Sequence, residues 1–417
     1  MFRLRRTLPL LPLAALALTA CGTENDPAPD AAPASSPSSA APSASSATES
    51  AGAEPRVAVT YDGGVLVLRA EDGEVLLDQP LEGYARLSPA GDERHAMVAA
   101  AGTFTALDLG AWTDEHGDHG HSFTADPRLT DFTVPAEEPG HVVPHAGRTT
   151  LFDDGTGTVT AFDPHDLEDL EDDAPALDTW QLPEAHHGVA VQDGHGNLVH
   201  TVGDHDSRSG VRVATAAGAE LAASDDCPGV HGEAFAGDVA VFGCEDGVLV
   251  VDGREIRKVT SPDPYGRIGN QAGHESSPYV LGDYKTDPDA ELERPTRVSL
   301  IDTRDATVRL VDLPASYTFR SLGRMPDGDG LVLGTDGALH VLDARRGRLV
   351  RSTQVIAAWQ EPTEWQEPRP TLQVAGDTAY VTEPATRELH VVDLATMETT
   401  ATHRLDVVPD ELVAVTG

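Results

Sequence analysis

The stretch 226–253, DCPGVHGEAFAGDVAVFGCEDGVLVVDG, decides the fold because it contains a unit that the rest of the chain repeats. It predicts three short β-strands at 231–235, 238–242 and 247–252, separated by turns rich in Gly and Asp. A histidine, His231, opens the first strand, and an aspartate, Asp252, closes the third.

The mark of the third strand, an apolar run that ends near aspartate, recurs along the chain. It is found before Asp108, Asp163, Asp252, Asp302, Asp343 and Asp393, and VLVLRA and VRVATA fill two further places. Eight such units of about 45 residues are typical of a closed repeat array with four short strands per unit. The sequence therefore predicts an all-β, single-domain β-propeller with eight blades, or seven as the alternative. We expect the last segment, ELVAVTG, to pair with the first strands near Arg56 and to complete one blade, which removes exposed sheet edges.

The N-terminal part predicts export. In residues 1–20, Arg3, Arg5 and Arg6 precede an apolar run of signal-peptide length, and the sequence LTAC resembles a bacterial lipobox with lipid attachment at Cys21. An ordinary secretory signal is the alternative. Residues 21–55 are rich in Ala, Ser and Pro and predict a disordered tether, and residues 56–417 predict the propeller. We expect a lipid-anchored protein on the extracellular face of the cytoplasmic membrane.

The formal net charge of −40 limits the possible partners. Such a chain repels phosphate backbones and anionic lipid, so we expect no nucleic acid and no membrane contact beyond the anchor. The same charge attracts cations.

Two cysteines besides Cys21 have two possible roles. Cys227 and Cys244 flank the first two strands of the repeated unit, so an exported protein could link them in a disulfide. Alternatively, Cys227 and His231 could act together as zinc ligands.

Histidines are grouped in two ways. His116, His119 and His121 fall in EHGDHGHS, which predicts a loop loosened by glycine in which Asp118 could be a further ligand. In the second group, one histidine recurs at a similar place in four consecutive units: His141, His187, His231 and His274. First strands line the channel of a propeller, so these imidazoles could converge, with His145 and His186 close by. The acids Asp153, Asp154, Glu233 and Glu275 could complete a site or orient an imidazole. Imidazole is a common metal ligand and favours zinc over calcium or magnesium. A surface loop and structural histidines are the alternatives.

At these residues the chain resembles a known family. The motifs EHGDHGHS, PGHVVPHAGRTTLFDDGTG, HHGVAV, CPGVHGEA and AGHESSPYVLGDY are similar to those of the AztD-type zinc metallochaperones. The resemblance implies an exported β-propeller that passes zinc to the solute-binding protein of a zinc ABC importer. It also implies two zinc sites built mainly from histidines, and the positions that match are His116, His119 and His121, and His141, His187 and His231.

The predicted function is therefore an extracytoplasmic zinc metallochaperone, monomeric and not an enzyme. We find no nucleophile elbow, Walker motif or dinucleotide fingerprint. One alternative is a hydrolase with a histidine-ligated zinc, for which Glu233 or Glu275 would have to act as the general base. Another is a metal-free protein-docking propeller.

Overall fold

The computed structural model describes residues 47–117, 119–170 and 174–417. The predicted signal peptide 1–20, Cys21, most of the predicted tether and Asp118 lie outside the described residues. Within the described part, no helix combines the length and the apolar character needed to cross a membrane.

Short strands make up most of the described chain. The first seventeen are β1 (Thr48–Glu49), β2 (Arg56–Tyr61), β3 (Gly64–Arg69), β4 (Val75–Pro80), β5 (Arg86–Pro89), β6 (His95–Ala100), β7 (Thr103–Asp108), β8 (Ala111–His116), β9 (His119–Thr124), β10 (Arg128–Pro135), β11 (Pro139–His145), β12 (Arg148–Asp153), β13 (Thr158–Phe162), β14 (Asp178–Gln181), β15 (Ala190–Gln192), β16 (Leu198–Gly203) and β17 (Arg208–Ala214). The others are β18 (Glu220–Ser224), β19 (His231–Ala236), β20 (Val239–Cys244), β21 (Gly247–Asp252), β22 (Glu255–Thr260), β23 (Gln271–Ala272), β24 (Tyr279–Gly282), β25 (Arg297–Asp302), β26 (Thr307–Asp312), β27 (Leu322–Arg324), β28 (Gly330–Leu333), β29 (Ala338–Asp343), β30 (Arg348–Gln354), β31 (Leu372–Ala375), β32 (Thr378–Glu383), β33 (Glu388–Asp393), β34 (Glu398–Arg404) and β35 (Leu412–Val415). A 3-10 helix spans Pro164–Leu167.

In the described residues, 32 strands form eight four-stranded antiparallel sheets, and β1, β9 and β8 form a three-stranded sheet. Six sheets use four consecutive strands. The sheet of β5, β6 and β7 takes β10 as its fourth strand, and β35 joins β2, β3 and β4. The prediction of an all-β fold is confirmed, and the repeated four-stranded sheets are consistent with a β-propeller.

The repeated unit seen in the sequence corresponds to one sheet. Its three predicted strands are β19, β20 and β21, and β22 adds a fourth. The aspartates that marked third strands end β7, β21, β25, β29 and β33, whereas Asp163 caps the 3-10 helix.

The core lies between neighbouring sheets. Strands such as β3 and β20 are buried along almost their whole length because each sheet packs against a sheet on either side. One cluster joins Leu331 and Val341, in the sheet of β27–β30, to Ala379 and Val392, in the sheet of β31–β34. Fourth strands such as β34 are mostly exposed. The apolar runs that predicted the strands therefore form these layers.

The first strands of the eight sheets are the edge strands β35, β5, β11, β15, β19, β23, β27 and β31. Most of them lie beside the first strands of neighbouring sheets. β5 contacts β35 and β11, β23 contacts β19 and β27, and β31 contacts β27 and β35. The last strand of the chain pairs with β2, with Leu412 opposite Val59 and Val415 opposite Arg56. N-terminal and C-terminal strands thus share one sheet.

Two cavities mark the opposite ends of these first strands. The N-terminal mouth, about 530 Å³, is lined by residues near strand starts such as Arg86, His141 and His231. The C-terminal mouth, about 400 Å³, is lined by residues at strand ends such as Pro89 and His145. His141 and His145 of β11 line opposite mouths and are four residues apart, so the mouths lie roughly 13 Å apart.

Candidate metal centre

Three of the four repeat histidines meet at the N-terminal mouth. One ligand atom from each of His141, His187 and His231 lies within 4.8 Å of the others. The Nε2 atoms of His187 and His231 are 3.1 Å apart, and the three ring centroids are separated by 5.0, 5.3 and 5.8 Å. Nitrogens bound to one tetrahedral zinc, each at about 2.0–2.1 Å, lie roughly 3.4 Å from one another. The group therefore fits a zinc ion with little movement.

The backbone around Gly232 places His231. Gly232 has φ of 69° and lies where the register of β19 against β20 shifts. A Cβ at this position would lie 2.5 Å from the carbonyl oxygen of Gly269. The Nδ1–H of His231 donates to this same carbonyl at 2.7 Å, so the Nε2 lone pair faces the other two histidines. Glycine is required here because only it allows this close approach.

A carboxylate from the preceding sheet orients His187. The Nδ1–H of His187 donates to Asp154 Oδ2 at 2.5 Å, and Asp154 Oδ1 accepts the backbone N–H of Gly188 at 3.2 Å. The neighbouring Asp153 instead accepts the backbone N–H groups of Glu137 and Glu138, in the segment before β11. With both Nδ1 atoms protonated, the Nε2 lone pairs of His187 and His231 face each other, an arrangement that a bound cation relieves.

Burial favours the uncharged forms of His141 and His231 before metal binds. Burial, followed by the charge of Arg86, lowers the pKa of His141 to about 3. Burial and the nearby His141 hold the pKa of His231 well below its ordinary value. Burial raises the pKa of Glu233 to about 8, and its Oε2 lies 3.6 Å from His141 Nδ1. At neutral pH these imidazoles are in the neutral form that binds zinc.

These pKa shifts predict how many protons zinc displaces. At pH 6.0, three free imidazoles with a pKa near 6.5 would release about two protons per zinc. The pKa of His141 is lowered to about 3 and that of His231 lies well below its ordinary value, so we expect fewer than two protons to be released per zinc. Calorimetry in two buffers of different ionisation enthalpy measures this number. A variant with His116, His119, His121 and Glu233 replaced by Ala or Gln removes other proton sources, and release of two or more protons would contradict the expectation.

The fourth histidine of the repeat group, His274, lies elsewhere. His274 follows the end of the two-residue strand β23 and bridges to Ala236 at the far end of β19. Its Nδ1 accepts the backbone N–H of Ser276 at 3.2 Å. The structure therefore does not bring His274 to the three-histidine centre. Similar spacing along the chain did not preserve position along the strand, because His274 lies opposite Ala236, five residues beyond His231.

Of the additional ligands suggested from the sequence, some lie away from the three-histidine centre and one lies beside it. His145, at the C-terminal end of β11, stacks on Phe235 with ring centroids 3.8 Å apart. His186 is buried, with Nδ1 donating to the Glu184 carbonyl at 3.1 Å and Nε2 3.0 Å from Thr201 Oγ1. Glu233 lies beside the centre.

The described residues of the EHGDHGHS segment belong to a β-hairpin, and the prediction of a loosened loop was wrong. β8 and β9 pair from Ala111 opposite Thr124 to His116 opposite His119, next to Gly117, whose φ is 65°. The ring centroids of His116 and His119 lie 5.7 and 5.1 Å from that of His121. His121 Nδ1 lies 2.9 Å from Glu49 Oε1. Sequence reasoning did not identify Glu49, which reaches the hairpin because β1 pairs with β9.

The hairpin is fixed near the C-terminal mouth. Thr113 Oγ1 donates to the carbonyl of Gly417 at 2.7 Å, and Trp112 stacks on Phe123 at 5.6 Å. The cavity beside it, about 860 Å³, shares Gly91 and Glu93 with the C-terminal mouth. The two groups of histidines therefore lie at opposite ends of the first strands.

A buried disulfide links Cys227 and Cys244, with an S–S distance of 1.98 Å. Both sulfurs are bonded to each other, so the alternative in which Cys227 binds zinc with His231 is not realised. Gly243, beside Cys244, is the strand partner of His231. The disulfide therefore fastens the segment that carries a candidate ligand.

The chain is similar to known proteins in sequence and in structure. No family model matches the chain. The zinc chaperone AztD of Citrobacter koseri is 26% identical over 365 residues, 85% of this chain and 84% of the relative. The crystal structure of Citrobacter koseri AztD matches with a TM-score of 0.77 and 25% identity, covering 88% of this chain and 99% of that one.

Two further solved structures show the fold. Apo AztD from Citrobacter koseri has a TM-score of 0.75 at 24% identity and covers 87% of this chain and 98% of its own. The dihydro-heme d1 dehydrogenase NirN in complex with DHE has a TM-score of 0.51 at 12% identity and covers 86% of this chain and 74% of its own. The relative found over most of the chain is named a zinc chaperone and not an enzyme. The resemblance to the AztD-type zinc metallochaperones that the sequence motifs predicted is confirmed.

Proposed function

We propose that this protein is an extracytoplasmic zinc metallochaperone that binds zinc through His141, His187 and His231 and transfers it to the solute-binding protein of a zinc ABC importer. The observation that carries the proposal is the three-histidine centre, in which two imidazoles are fixed with their Nε2 atoms 3.1 Å apart at an open mouth. The similarity to the zinc chaperone AztD supports zinc as the cargo.

The proposal includes the form of the scaffold. The eight sheets are the blades of one closed propeller, and the pairing of β35 with β2 supports closure by a shared blade. A closed ring holds ligands from three consecutive blades at fixed positions. Export through residues 1–20 and lipid attachment at Cys21 belong to the same proposal.

The acceptor approaches the N-terminal mouth. Two aromatic side chains at this mouth are exposed, Phe319 to 40% and Trp365 to 54%. Arg86, Arg267 and Lys285 line the same cavity, although the chain as a whole carries a net charge of −40. Exposed aromatics and a local basic patch fit a zinc-binding acceptor with an acidic surface around its own site.

The hairpin histidines form the second zinc site of the proposal. His116 and His119 are exposed, and His121 is half-buried beside Glu49. The hairpin faces the other end of the ring, so it serves capture of zinc and not its final delivery.

A hydrolase is disfavoured by the chemistry of the centre. Glu233 is the carboxyl group beside His141, but burial raises its pKa to about 8. At neutral pH it holds a proton and is a poor general base.

Zinc transfer tests this function. We expect zinc-loaded protein to fill the apo solute-binding protein faster than a competing chelator can intercept the ion. Replacing Phe319 and Trp365 with Ala should slow this transfer at least tenfold, because hot-spot aromatics contribute on the order of 2 kcal/mol to docking. Replacing His116, His119 and His121 with Ala is the matched control and should leave transfer from the three-histidine centre unchanged.

The outcome is read as acceptor loading over time. Complete interception by the chelator with the unmodified protein would contradict direct transfer. Slowing by the hairpin variant alone would place delivery at the opposite mouth.

A further inference from the structure

We propose that Glu383, Glu388 and His390 form an additional divalent-metal site on the hairpin of β32 and β33. Glu383 ends β32 and lies opposite Glu388, which begins β33. His390 is two residues further along β33, so its side chain emerges on the same face as that of Glu388. The segment EPATRELH thus brings two carboxylates and one imidazole together.

The distances fit a single ion. His390 Nε2 lies 3.4 Å from Glu383 Oε2 and 3.8 Å from Glu388 Oε2. One ligand atom from each of the three residues lies within 4.8 Å of the others. Ligand atoms bound at about 2.0–2.2 Å in a tetrahedral shell are roughly 3.4 Å apart.

His390 points an unsatisfied nitrogen at this position. The residue is 7% exposed, and its buried Nε2 has no hydrogen-bond partner among the described residues. Its Nδ1 lies 3.3 Å from Thr402 Oγ1, so a proton on Nδ1 leaves the Nε2 lone pair for a ligand. Buried polar atoms without partners are uncommon in proteins, and a bound ion would satisfy this one.

The two carboxylates have different roles: Glu383 is held in place to bind the ion, and Glu388 lies where the ion can enter from solvent. Glu383 is buried, with Oε1 accepting the backbone N–H of Ala357 at 3.1 Å and Oε2 accepting the hydroxyl of Thr386 at 2.9 Å. These bonds fix its position. The side chain of Glu388 is 28% exposed, which opens the group to solvent.

A histidine at the equivalent position of the preceding sheet, His340, provides a comparison with a purely structural role. His340 in β29 is fully buried, its Nε2 lies 3.1 Å from Asp336 Oδ1, and its Nδ1 lies 2.8 Å from Ser352 Oγ. Both nitrogens of His340 have partners, and one of these is an acid. His390 differs in having two acids near Nε2 and no hydrogen bond to that nitrogen from the described residues, and these differences indicate a ligand site.

The donor set defines the class of ion. One imidazole and two carboxylates suit a first-row divalent cation such as Zn²⁺ or Mn²⁺. We expect weaker zinc binding here than at the three-histidine centre, because fewer nitrogens are present. The proposal does not depend on the chaperone function.

The test uses full-length folded protein in which His187, His231, His116, His119 and His121 are replaced by Ala. Titration with Zn²⁺ by calorimetry, and with Mn²⁺ by electron paramagnetic resonance, should reveal one remaining equivalent. Glu388→Gln should weaken that binding at least tenfold, and His390→Gln should abolish it. Because Glu388 is partly exposed, its variant should fold even if His390→Gln does not, which circular dichroism checks.

Asp336→Asn, beside His340, is the matched control and should leave the equivalent in place. Absence of a remaining equivalent, unchanged binding in Glu388→Gln, or equal weakening by Asp336→Asn would each overturn the proposal. Because the background lacks the other histidines, these outcomes are independent of whether the three-histidine centre binds zinc.

Discussion

His231→Ala is expected to remove the tightly bound zinc of the N-terminal mouth while the protein stays folded. The imidazole of His231 supplies one of three nitrogens that lie within 4.8 Å of one another, and a zinc site with two remaining protein ligands is open to water and competitors. Loss of groups that only orient ligands lowers metal affinity about 10–100-fold, so we expect loss of a ligand to exceed about 100-fold. Competition with a chromophoric chelator measures the affinity.

The matched control is His274→Ala. That histidine comes from the same repeat pattern but lies at the other end of β19, so its loss should leave zinc binding at the three-histidine centre unchanged. Thermal unfolding of both variants without metal should remain close to that of the parent, because the hydrogen bond lost with the His231 ring, from Nδ1–H to the Gly269 carbonyl, is worth about 1 kcal/mol. Equal zinc stoichiometry and affinity in His231→Ala and the parent would falsify the three-histidine centre.

Asp154 refines this expectation. Its Oδ2 accepts the Nδ1–H of His187 at 2.5 Å, which fixes the ring and directs its Nε2 towards His231. Asp154→Asn should therefore lower zinc affinity by about 10–100-fold without changing the number of ions bound.

Loss of the disulfide is the second change with a large expected effect, a lower free energy of unfolding. Cys227 and Cys244 are separated by 17 residues, and closing a loop of this length lowers the entropy of the unfolded chain by an amount worth about 3 kcal/mol. We expect the Cys227→Ala, Cys244→Ala double variant to unfold at lower denaturant concentration by this free energy, with a similar denaturant slope. Chemical denaturation of metal-free protein provides the measurement.

The disulfide should also affect zinc. Gly243 pairs with His231, and Cys244 follows Gly243 directly, so loosening this corner frees a ligand that the intact protein holds in place. Zinc affinity of the double variant should fall, whereas the hairpin site at the C-terminal mouth should be unaffected. A variant with unchanged free energy of unfolding and unchanged affinity would show that the link is neutral.

Much of the scaffold could be predicted from residues alone. Apolar runs between Gly-rich and Asp-rich turns specify short strands locally, so the stretch around His231 gave three of the four strands of its sheet within two residues of their bounds. Pairing of ELVAVTG with the first strands could also be anticipated, because an incomplete sheet at each end of the chain leaves edges to be satisfied. Three histidines of the candidate centre were found by their recurrence in consecutive units.

The sequence by itself determined the strands, the repeat and the chemical types of the ligands, because these depend on neighbours in the chain and on side-chain chemistry. Only the tertiary structure decided which ligands meet. His274 lies opposite Ala236, five residues beyond His231, so it misses the centre although its spacing along the chain resembles that of the other repeat histidines. The pairing of β8 with β9 made a hairpin of a segment whose glycines suggested a loop. Asp154, the Gly269 carbonyl and Glu383 reach imidazoles across sheets or across a turn, and residue spacing does not encode such contacts because they arise from packing between strands.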